Sequence, residues 1–285
     1  MYFKTADVAG VRIFYRGAGD PSKPTIVLFH GFPSSSYQFH DLIPRLAHRF
    51  HVIAPDYPGM GYSDAPAPTV LRPTFDDVAK VIDAFIAQCA PGPVILYMHD
   101  FGGPIGMRIA TAHPERIAGV IFQNCTISVE GWNPERLKVY ERLGGPETPE
   151  KLAEAEQFAT EDRDKFLHQT GARRPDALNP DNWAIDAHAF SIPASRVFMS
   201  RLLMNLAANV PHYPEWNAYL KHRQPKTLVV WGRNDPLLMP AAAELVKQDV
   251  PTAEVSYFDG GHFVLDEYAD AIADAIIETF SLPGK

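Results

Sequence analysis

The sequence predicts an α/β fold in which helices flank a mostly parallel central sheet and a helical lid is inserted within the chain. Two patterns support this prediction. Short, almost wholly apolar segments alternate with longer segments of helical period at both ends of the chain, as expected of strands that are covered on both faces. From about residue 130 to residue 223 this alternation stops, and helical patterns are separated by loops.

Six segments have the length and apolar composition of buried strands, namely residues 25–30, 51–54, 94–98, 117–123, 227–231 and 253–258. Residues 75–90 carry apolar side chains at spacings of three and four, which predicts an amphipathic helix. We expect a helix over residues 37–48, capped by one of the serines at 34 to 36, and a last helix over residues 268–280 that packs on the sheet. The predicted organisation is a core of residues 1–129 and 223–285, with a helical cap over residues 130–222.

The composition restricts the class of partner. The 285 residues are 46% hydrophobic and 21% charged, which suits a packed globular core. A formal net charge of -8 disfavours binding to nucleic acid or to an anionic membrane, so a small apolar or neutral substrate is expected. No secretory signal is evident at the start, and no apolar run approaches the roughly eighteen residues of a membrane span, which predicts a cytoplasmic protein.

Asp100 is the candidate nucleophile. The segment Tyr-Met-His-Asp-Phe-Gly-Gly around it follows an apolar strand and opens a helix, which is the strand-turn-helix setting of a nucleophile elbow. The N–H groups at the start of that helix favour an ionised carboxylate. Taken alone, Asp100 is slightly better explained as the N-cap of the helix.

Two further side chains strengthen the catalytic interpretation. Asp235, in the segment Gly-Arg-Asn-Asp-Pro, lies just beyond one strand, and His262, in Gly-Gly-His-Phe, lies just beyond the next. Each is by itself an ordinary turn or loop residue. Together they give the order nucleophile, acid, histidine, with all three at the carboxyl ends of strands, where ligands bind on such sheets. The sequence therefore predicts a triad of Asp100, His262 and Asp235.

The segment His-Gly-Phe-Pro, which follows the first predicted strand, supplies the remaining catalytic element. We expect the backbone N–H groups of Phe32 and Phe101 to form an oxyanion hole, with a cis bond before Pro33 fixing the loop. His30 and His99 are interpreted as structural hydrogen-bonding residues.

The chain contains five short motifs: His-Gly-Phe-Pro, Asp-Tyr-Pro-Gly-Met-Gly-Tyr-Ser-Asp at 56–64, His-Asp-Phe-Gly-Gly, Gly-Arg-Asn-Asp-Pro and Gly-Gly-His-Phe. Together these motifs resemble the epoxide hydrolase and haloalkane dehalogenase branch of the α/β-hydrolases. The resemblance covers nearly the whole chain and implies an α/β-hydrolase fold that needs no cofactor or metal ion. Met98 departs from the pattern, because a small residue usually occupies that position of the elbow.

A carboxylate nucleophile suits attack at saturated carbon, where it forms an alkyl ester and splits one difficult displacement into two easier steps. In the second step His262, oriented by Asp235, would take a proton from the water that attacks the ester. The expected reaction therefore consumes water and passes through a covalent ester on Asp100.

The leaving group is predicted from the lid. The resemblance implies that lid tyrosines protonate an epoxide oxygen, whereas N–H groups of indoles or carboxamides bind a departing halide. The candidates in this lid are Tyr140, Tyr213, Tyr219 and Trp183, with Trp132 a further indole. Leu206 falls near the position of the second tyrosine.

Dehalogenases of this branch usually carry Trp directly after the nucleophile and Asn or Glu after the His-Gly pair. This chain has Phe101 and Phe32 at those positions. Epoxide hydrolysis to a diol is therefore the preferred prediction. Haloalkane dehalogenation and non-catalytic binding of a small molecule on the same fold remain the alternatives.

Overall fold

The computed structural model describes residues 1–281, and in them eight strands form one central sheet. The strands are β1 (Tyr2–Val8), β2 (Val11–Ala18), β3 (Thr25–Phe29), β4 (His51–Pro55), β5 (Val94–His99), β6 (Ile117–Gln123), β7 (Thr227–Gly232) and β8 (Glu254–Phe258). Their spatial order is β1-β2-β4-β3-β5-β6-β7-β8. β1 and β2 pair in antiparallel fashion, as do β2 and β4, while β3 to β8 run parallel and end at one edge.

The helices of the described residues are α1 (Leu42–Leu46), α2 (Phe75–Cys89), α3 (Gly102–Ala112), α4 (Pro134–Leu143), α5 (Pro149–Glu156), α6 (Glu161–Gln169), α7 (Asp181–Ala184), α8 (Asp186–Ser191), α9 (Pro193–Met204), α10 (Tyr213–Arg223), α11 (Ala241–Asp249) and α12 (Leu265–Phe280). Apolar faces of α2, α3 and α11 pack on one face of the sheet, and those of α1 and α12 pack on the other. No helix within residues 1–281 has the length and hydropathy required to cross a bilayer.

The six predicted strands agree with β3 to β8, and each end differs by no more than one residue. They were predictable because β3, β4, β5 and β7 are almost wholly buried and therefore apolar throughout. The N-terminal hairpin of β1 and β2 is missing from the prediction. Its first strand is mostly exposed and polar, so it lacks the apolar run by which the other strands are recognised.

Helices α4 to α10 lie in sequence between β6 and β7, and no strand interrupts them. This arrangement is the inserted helical lid that the sequence predicts as part of the fold. The exact borders proposed for the cap, 130 and 222, stay a prediction. α10 ends at Arg223, and the next residue, Gln224, closes it in the left-handed conformation with φ of 46°.

Two predicted helices differ in detail. The segment after the His-Gly-Phe-Pro loop divides into a short 3-10 turn, Ser36–Phe39, and α1, rather than forming one helix. The Ser35 hydroxyl accepts a hydrogen bond from the Tyr37 N–H and so caps the turn, as a serine in this segment was expected to do. The last helix begins at Leu265, three residues before the predicted start, and is kinked at Tyr268.

Candidate active site

The turn between β5 and α3 raises Asp100 above the carboxyl edge of the sheet. Its backbone has φ of 49°, in the left-handed region that only a small share of non-glycine residues occupy. A side chain at Gly102 would place its Cβ 2.6 Å from the Phe29 carbonyl oxygen, so only glycine lets α3 pass this close to β3. Such strained backbone at a strand end is typical of functional sites.

The unusual Met98 is accommodated by a glycine on the neighbouring helix. The Met98 sulfur occupies the space that a side chain at position 106 would need, and residue 106 is glycine. Met98 is fully buried there. The elbow therefore keeps its shape although a large residue stands at a position that is usually small.

Backbone N–H groups surround the Asp100 carboxylate. The Phe32 N–H donates to Asp100 Oδ1 at 2.7 Å, and the peptide between Phe32 and Pro33 is cis. Burial raises the pKa of Asp100 above its usual value, although His262 and the N–H groups of Phe32 and Phe101 counteract it. The two N–H groups expected to form an oxyanion hole thus lie beside the predicted nucleophile.

His262 lies between the other two members of the predicted triad. Its Nδ1 is 2.8 Å from Asp235 Oδ2, whereas its Nε2 is 3.8 Å from Asp100 Oδ2, beyond hydrogen-bond distance. Burial lowers the pKa of His262, but Asp235 and then Asp100 raise it by more than burial lowers it, so the net shift is upward. The structure thus brings together all three side chains, with Nε2 facing the carboxylate that would carry an ester.

Asn124 is a site residue that the sequence analysis missed. Its Nδ2 donates to Asp235 Oδ2 at 2.8 Å, while its Oδ1 accepts from the Gly232 N–H at 2.9 Å. Asp235 is also held through Oδ1, which accepts from the N–H groups of Leu237 and Leu238. Asn124 directly follows β6, so the signal that identified Asp100 at the end of β5 was present here too.

His99 and His30 are neutral structural residues, as expected. His99 is bonded to Gln38 through Nδ1 and to the His262 carbonyl oxygen through Nε2, at 3.1 Å. Burial, and then His262, hold the pKa of His99 well below its ordinary value. Burial lowers the pKa of His30 to about 4, and its Nδ1 contacts the Gly31 carbonyl oxygen at 2.9 Å.

Two small cavities meet at Asp100, and each has a volume of about 10 Å³. Trp132 and Leu206 line both cavities and so separate them. The first is further lined by Phe32, Phe101, Tyr140, Phe158, Arg163, Leu167, Leu203 and Leu237, and the second by Pro104, Thr126, Asn209, Tyr213 and Leu238. A volume of this size has room for about one water molecule.

Tyr140 and Tyr213 are the lid candidates that the structure brings to Asp100, one in each cavity. The Trp132 Nε1–H donates to the Tyr213 hydroxyl oxygen at 2.9 Å. Trp183 and Tyr219 line neither cavity. Trp183 instead packs with its ring 6.0 Å from that of His168, and Tyr219 is half-buried on α10, so the geometry gives neither a contact with the pocket at Asp100.

Comparison with known proteins agrees with this architecture. Residues 24–269 match the family model of the α/β hydrolase fold. The chain is 33% identical, over 95% of its length and 94% of the relative's, to uncharacterized hydrolase YNR064C of Saccharomyces cerevisiae. It is 27% identical to haloalkane dehalogenase 2 of Mycobacterium tuberculosis, over 94% of this chain and 91% of that protein. Among solved structures, epoxide hydrolase CorEH superposes with a TM-score of 0.78 at 19% identity, over 98% of each chain.

Proposed function

This chain belongs to the α/β-hydrolase fold family, in the branch of haloalkane dehalogenases and epoxide hydrolases, and we propose that it hydrolyses an epoxide to a diol through an ester on Asp100. The observation that carries the choice of an epoxide is the pair of tyrosines, Tyr140 and Tyr213, beside the carboxylate. An epoxide oxygen needs a proton as its C–O bond breaks, and a hydroxyl group supplies one.

In the first half-reaction Asp100 Oδ2, the oxygen that Phe32 does not hold, attacks an epoxide carbon. The new C–O bond forms the ester as the ring C–O bond breaks, and its electron pair goes to the ring oxygen. Tyr213 protonates that oxygen. The Trp132 Nε1–H donates to the Tyr213 oxygen at 2.9 Å, which leaves the Tyr213 hydrogen free for the substrate and stabilises the phenolate that remains.

Tyr213 is protonated before the reaction, as this role requires. Burial raises the pKa of Tyr213 to about 12, although the hydrogen bond from Trp132 counteracts the shift. The hydroxyl group of Tyr140 supplies a second donor from the other cavity. Burial and then Asp100 raise the pKa of Tyr140 above its ordinary value, so this group is also neutral.

In the second half-reaction His262 takes a proton from water, and the hydroxide attacks the carbonyl carbon of the ester. The oxyanion develops on Asp100 Oδ1, which already accepts from the Phe32 N–H at 2.7 Å. Collapse of this intermediate breaks the ester C–O bond, and the departing alcohol oxygen takes the proton from His262. The proton of the re-formed Asp100 carboxyl group returns to the Tyr213 phenolate. Ester formation removes the Asp100 charge, which is one of the charges that raise the pKa of His262. The pKa of His262 therefore falls when the ester forms, so a larger fraction of the imidazole is neutral and able to accept a proton at the stage that needs it.

Haloalkane dehalogenation is the second candidate, because a curated relative carries that name at 27% identity. A departing halide needs N–H donors in the pocket. The Trp132 N–H is already donated to Tyr213, and the side chains of Phe32 and Phe101 have no donor. Arg163, which lines the first cavity, is the N–H donor that a halide could use there. The pair of tyrosines still favours the epoxide, and one experiment distinguishes the two substrates.

The covalent ester is expected to accumulate in a His262→Gln variant incubated with separate panels of epoxides and haloalkanes. Loss of the general base slows hydrolysis by about 100- to 10,000-fold but leaves the first displacement in place. Intact-protein mass spectrometry should show an adduct equal to the whole epoxide mass. The panel includes carboxylate-bearing members, because Arg163 lines the first cavity and its Nε has no hydrogen-bond partner within residues 1–281.

The control for this trap is the same variant carrying Asp100→Asn, which should show no adduct. An alkyl adduct that lacks the halogen would instead establish dehalogenation. If neither panel gives an adduct, the ester mechanism is rejected for these substrates, and non-catalytic binding becomes the better account of the fold.

Tyr213→Phe is expected to slow epoxide opening by about 100-fold, since proton donation in the transition state is typically worth at least that much. Trp132→Phe should give a smaller loss, because the tyrosine keeps its proton but loses one hydrogen bond. Rapid-quench measurement of ester formation isolates this step. Tyr219→Phe is the matched control, because Tyr219 lies on the same helix α10 outside both cavities. Unchanged opening in Tyr213→Phe would transfer the acid role to Tyr140.

A further inference from the structure

A second cluster of buried polar side chains lies away from the cavities at Asp100. Asp164 and His168 belong to α6, and Asp186 is the first residue of α8. Their exposed fractions are 0%, 3% and 2%. One ligand atom from each of the three lies within 4.8 Å of those from the others. One imidazole nitrogen and two carboxylate groups therefore lie close together inside the protein.

The atoms that converge are the ones left without a partner. Both carboxylate oxygens of Asp164, the Nε2 of His168 and the Oδ2 of Asp186 form no hydrogen bond within residues 1–281. Buried polar atoms are almost always hydrogen-bonded, and a buried carboxylate without a partner is strongly unfavourable. Several such atoms that face one another indicate that something else satisfies them.

The other polar atoms of His168 and Asp186 already have hydrogen-bond partners. His168 Nδ1 is 2.6 Å from Asp266 Oδ2, and Asp186 Oδ1 accepts from the Ser35 hydroxyl at 2.8 Å. Histidines that bind metals almost always donate their other ring N–H to a carboxylate or carbonyl group, and ligating carboxylates are themselves hydrogen-bonded. The bond to Asp266 favours a hydrogen on Nδ1, so Nε2 is the nitrogen that can bind an ion when the ring is neutral, and it faces Asp164.

We propose that Asp164, His168 and Asp186 bind a divalent transition-metal ion. Two ligands about 2.1 Å from a tetrahedral ion lie about 3.4 Å apart, and His168 Nε2 is 3.5 Å from Asp164 Oδ1. A set that combines imidazole with carboxylates suits Zn²⁺ and similar ions, whereas Mg²⁺ and Ca²⁺ prefer oxygen ligands alone. The positive charge of the ion also offsets the negative charges of Asp164, Asp186 and Asp266, whose carboxylates are buried near one another.

The position of the cluster assigns the ion a structural role. Asp164 and His168 are four residues apart on one face of α6, and Asp186 lies on α8, so the ion joins two cap helices. Asp266 and Ser35, which hold the ligands, belong to the core. The His168 ring also stacks on Phe263, with ring centroids 3.7 Å apart, next to the catalytic candidate His262. The ion therefore fastens the cap to the core beside the active site.

The test uses the full chain, stripped of metal with a chelator and then given Zn²⁺ alone. We expect elemental analysis to find one equivalent of zinc after dialysis. With free Zn²⁺ at a hundred times its Kd, the Tm should rise by about 4 °C for a chain of this length. Mg²⁺ at the same concentration should leave the Tm unchanged. An ion-free protein whose Tm does not respond to Zn²⁺ would overturn the proposal, and protons or water would then satisfy the cluster.

Variants locate the binding. Asp164→Asn combined with Asp186→Asn should abolish both the zinc content and the Tm shift. His212→Gln is the matched control, because that histidine is only half-buried, pairs loosely with Glu215 at 3.9 Å, and lies outside the cluster. A shift that persists in the double variant would show binding elsewhere and refute the site.

If the double variant fails to fold, Co²⁺ added to the wild-type chain provides the second measurement. One bound equivalent with visible absorption bands, displaced by Zn²⁺ and absent in His168→Gln, supports the site. Absence of those bands in the wild-type protein rejects it.

Discussion

Asp100→Asn is expected to lower turnover of an epoxide substrate by at least about 10,000-fold, on the scale seen when an enzyme loses its nucleophile. The carboxamide cannot displace the ring oxygen, so no ester forms and His262 has no intermediate to hydrolyse. Asparagine is the suitable replacement, because it matches the shape of aspartate and tolerates the left-handed backbone at this position. Diol formation, measured with enzyme in excess over substrate, checks this result.

The matched control for this variant is Asp162→Asn, which removes an exposed carboxylate from the cap and should leave turnover unchanged. Each preparation needs an intact mass, because conversion of the new carboxamide back to a carboxylate adds about one mass unit and restores activity. Wild-type turnover by protein with an intact asparagine would contradict the covalent mechanism.

Asp235→Asn is expected to slow hydrolysis of the ester by about 100- to 10,000-fold. The Asp235 carboxylate accepts the Nδ1–H of His262 and so leaves Nε2 free to take a proton from water. An asparagine at this position can donate to Nδ1 instead, which moves the ring hydrogen to Nε2. Ester formation should continue at nearly its normal rate, so a burst of alkylated protein is expected by mass spectrometry. Asp259→Asn, which changes an exposed carboxylate in the loop after β8, serves as the control.

The same variant predicts a change in pH dependence. Wild-type ester hydrolysis requires neutral His262, so it should fall as the pH decreases through the pKa of that histidine in the ester, which Asp235 still raises. Asp235 is the first of the charges that raise this pKa, and removing it should move the acid limb of the profile to lower pH. An acid limb that stays in place would show that another group controls it.

The parts of the fold that were predictable are those in which one physical requirement applies to every residue of a segment. β5 is covered on both faces, so it is apolar at nearly every position and is recognised without any knowledge of its neighbours. In α2 the requirement is that one face packs on the sheet, and the resulting spacing of apolar residues predicted this helix to within one residue. β1 meets no such requirement, because it is one of the two edge strands and most of its side chains face solvent.

The residues of the predicted triad were recognisable because parallel strands end at the same edge, so chain order and strand ends alone imply that the side chains meet. The lid offers no comparable rule. Tyr213 contacts Trp132 across 81 positions of sequence, and nothing local indicates which of the lid aromatics turns toward Asp100. The cluster at Asp164 was equally hidden, because Asp186 comes from another helix, and no metal ion was expected from the sequence.

The two cavities at Asp100 also imply how the reaction is timed. Each has a volume of about 10 Å³, so the space beside the carboxylate admits about one water molecule and no larger reactant. The residues that line these cavities must therefore move apart at least twice in every catalytic cycle, once to admit the proposed epoxide and once to release the diol. The frequency of these openings sets an upper limit on kcat that is independent of the chemistry at Asp100, and selection by substrate size takes place in the open form.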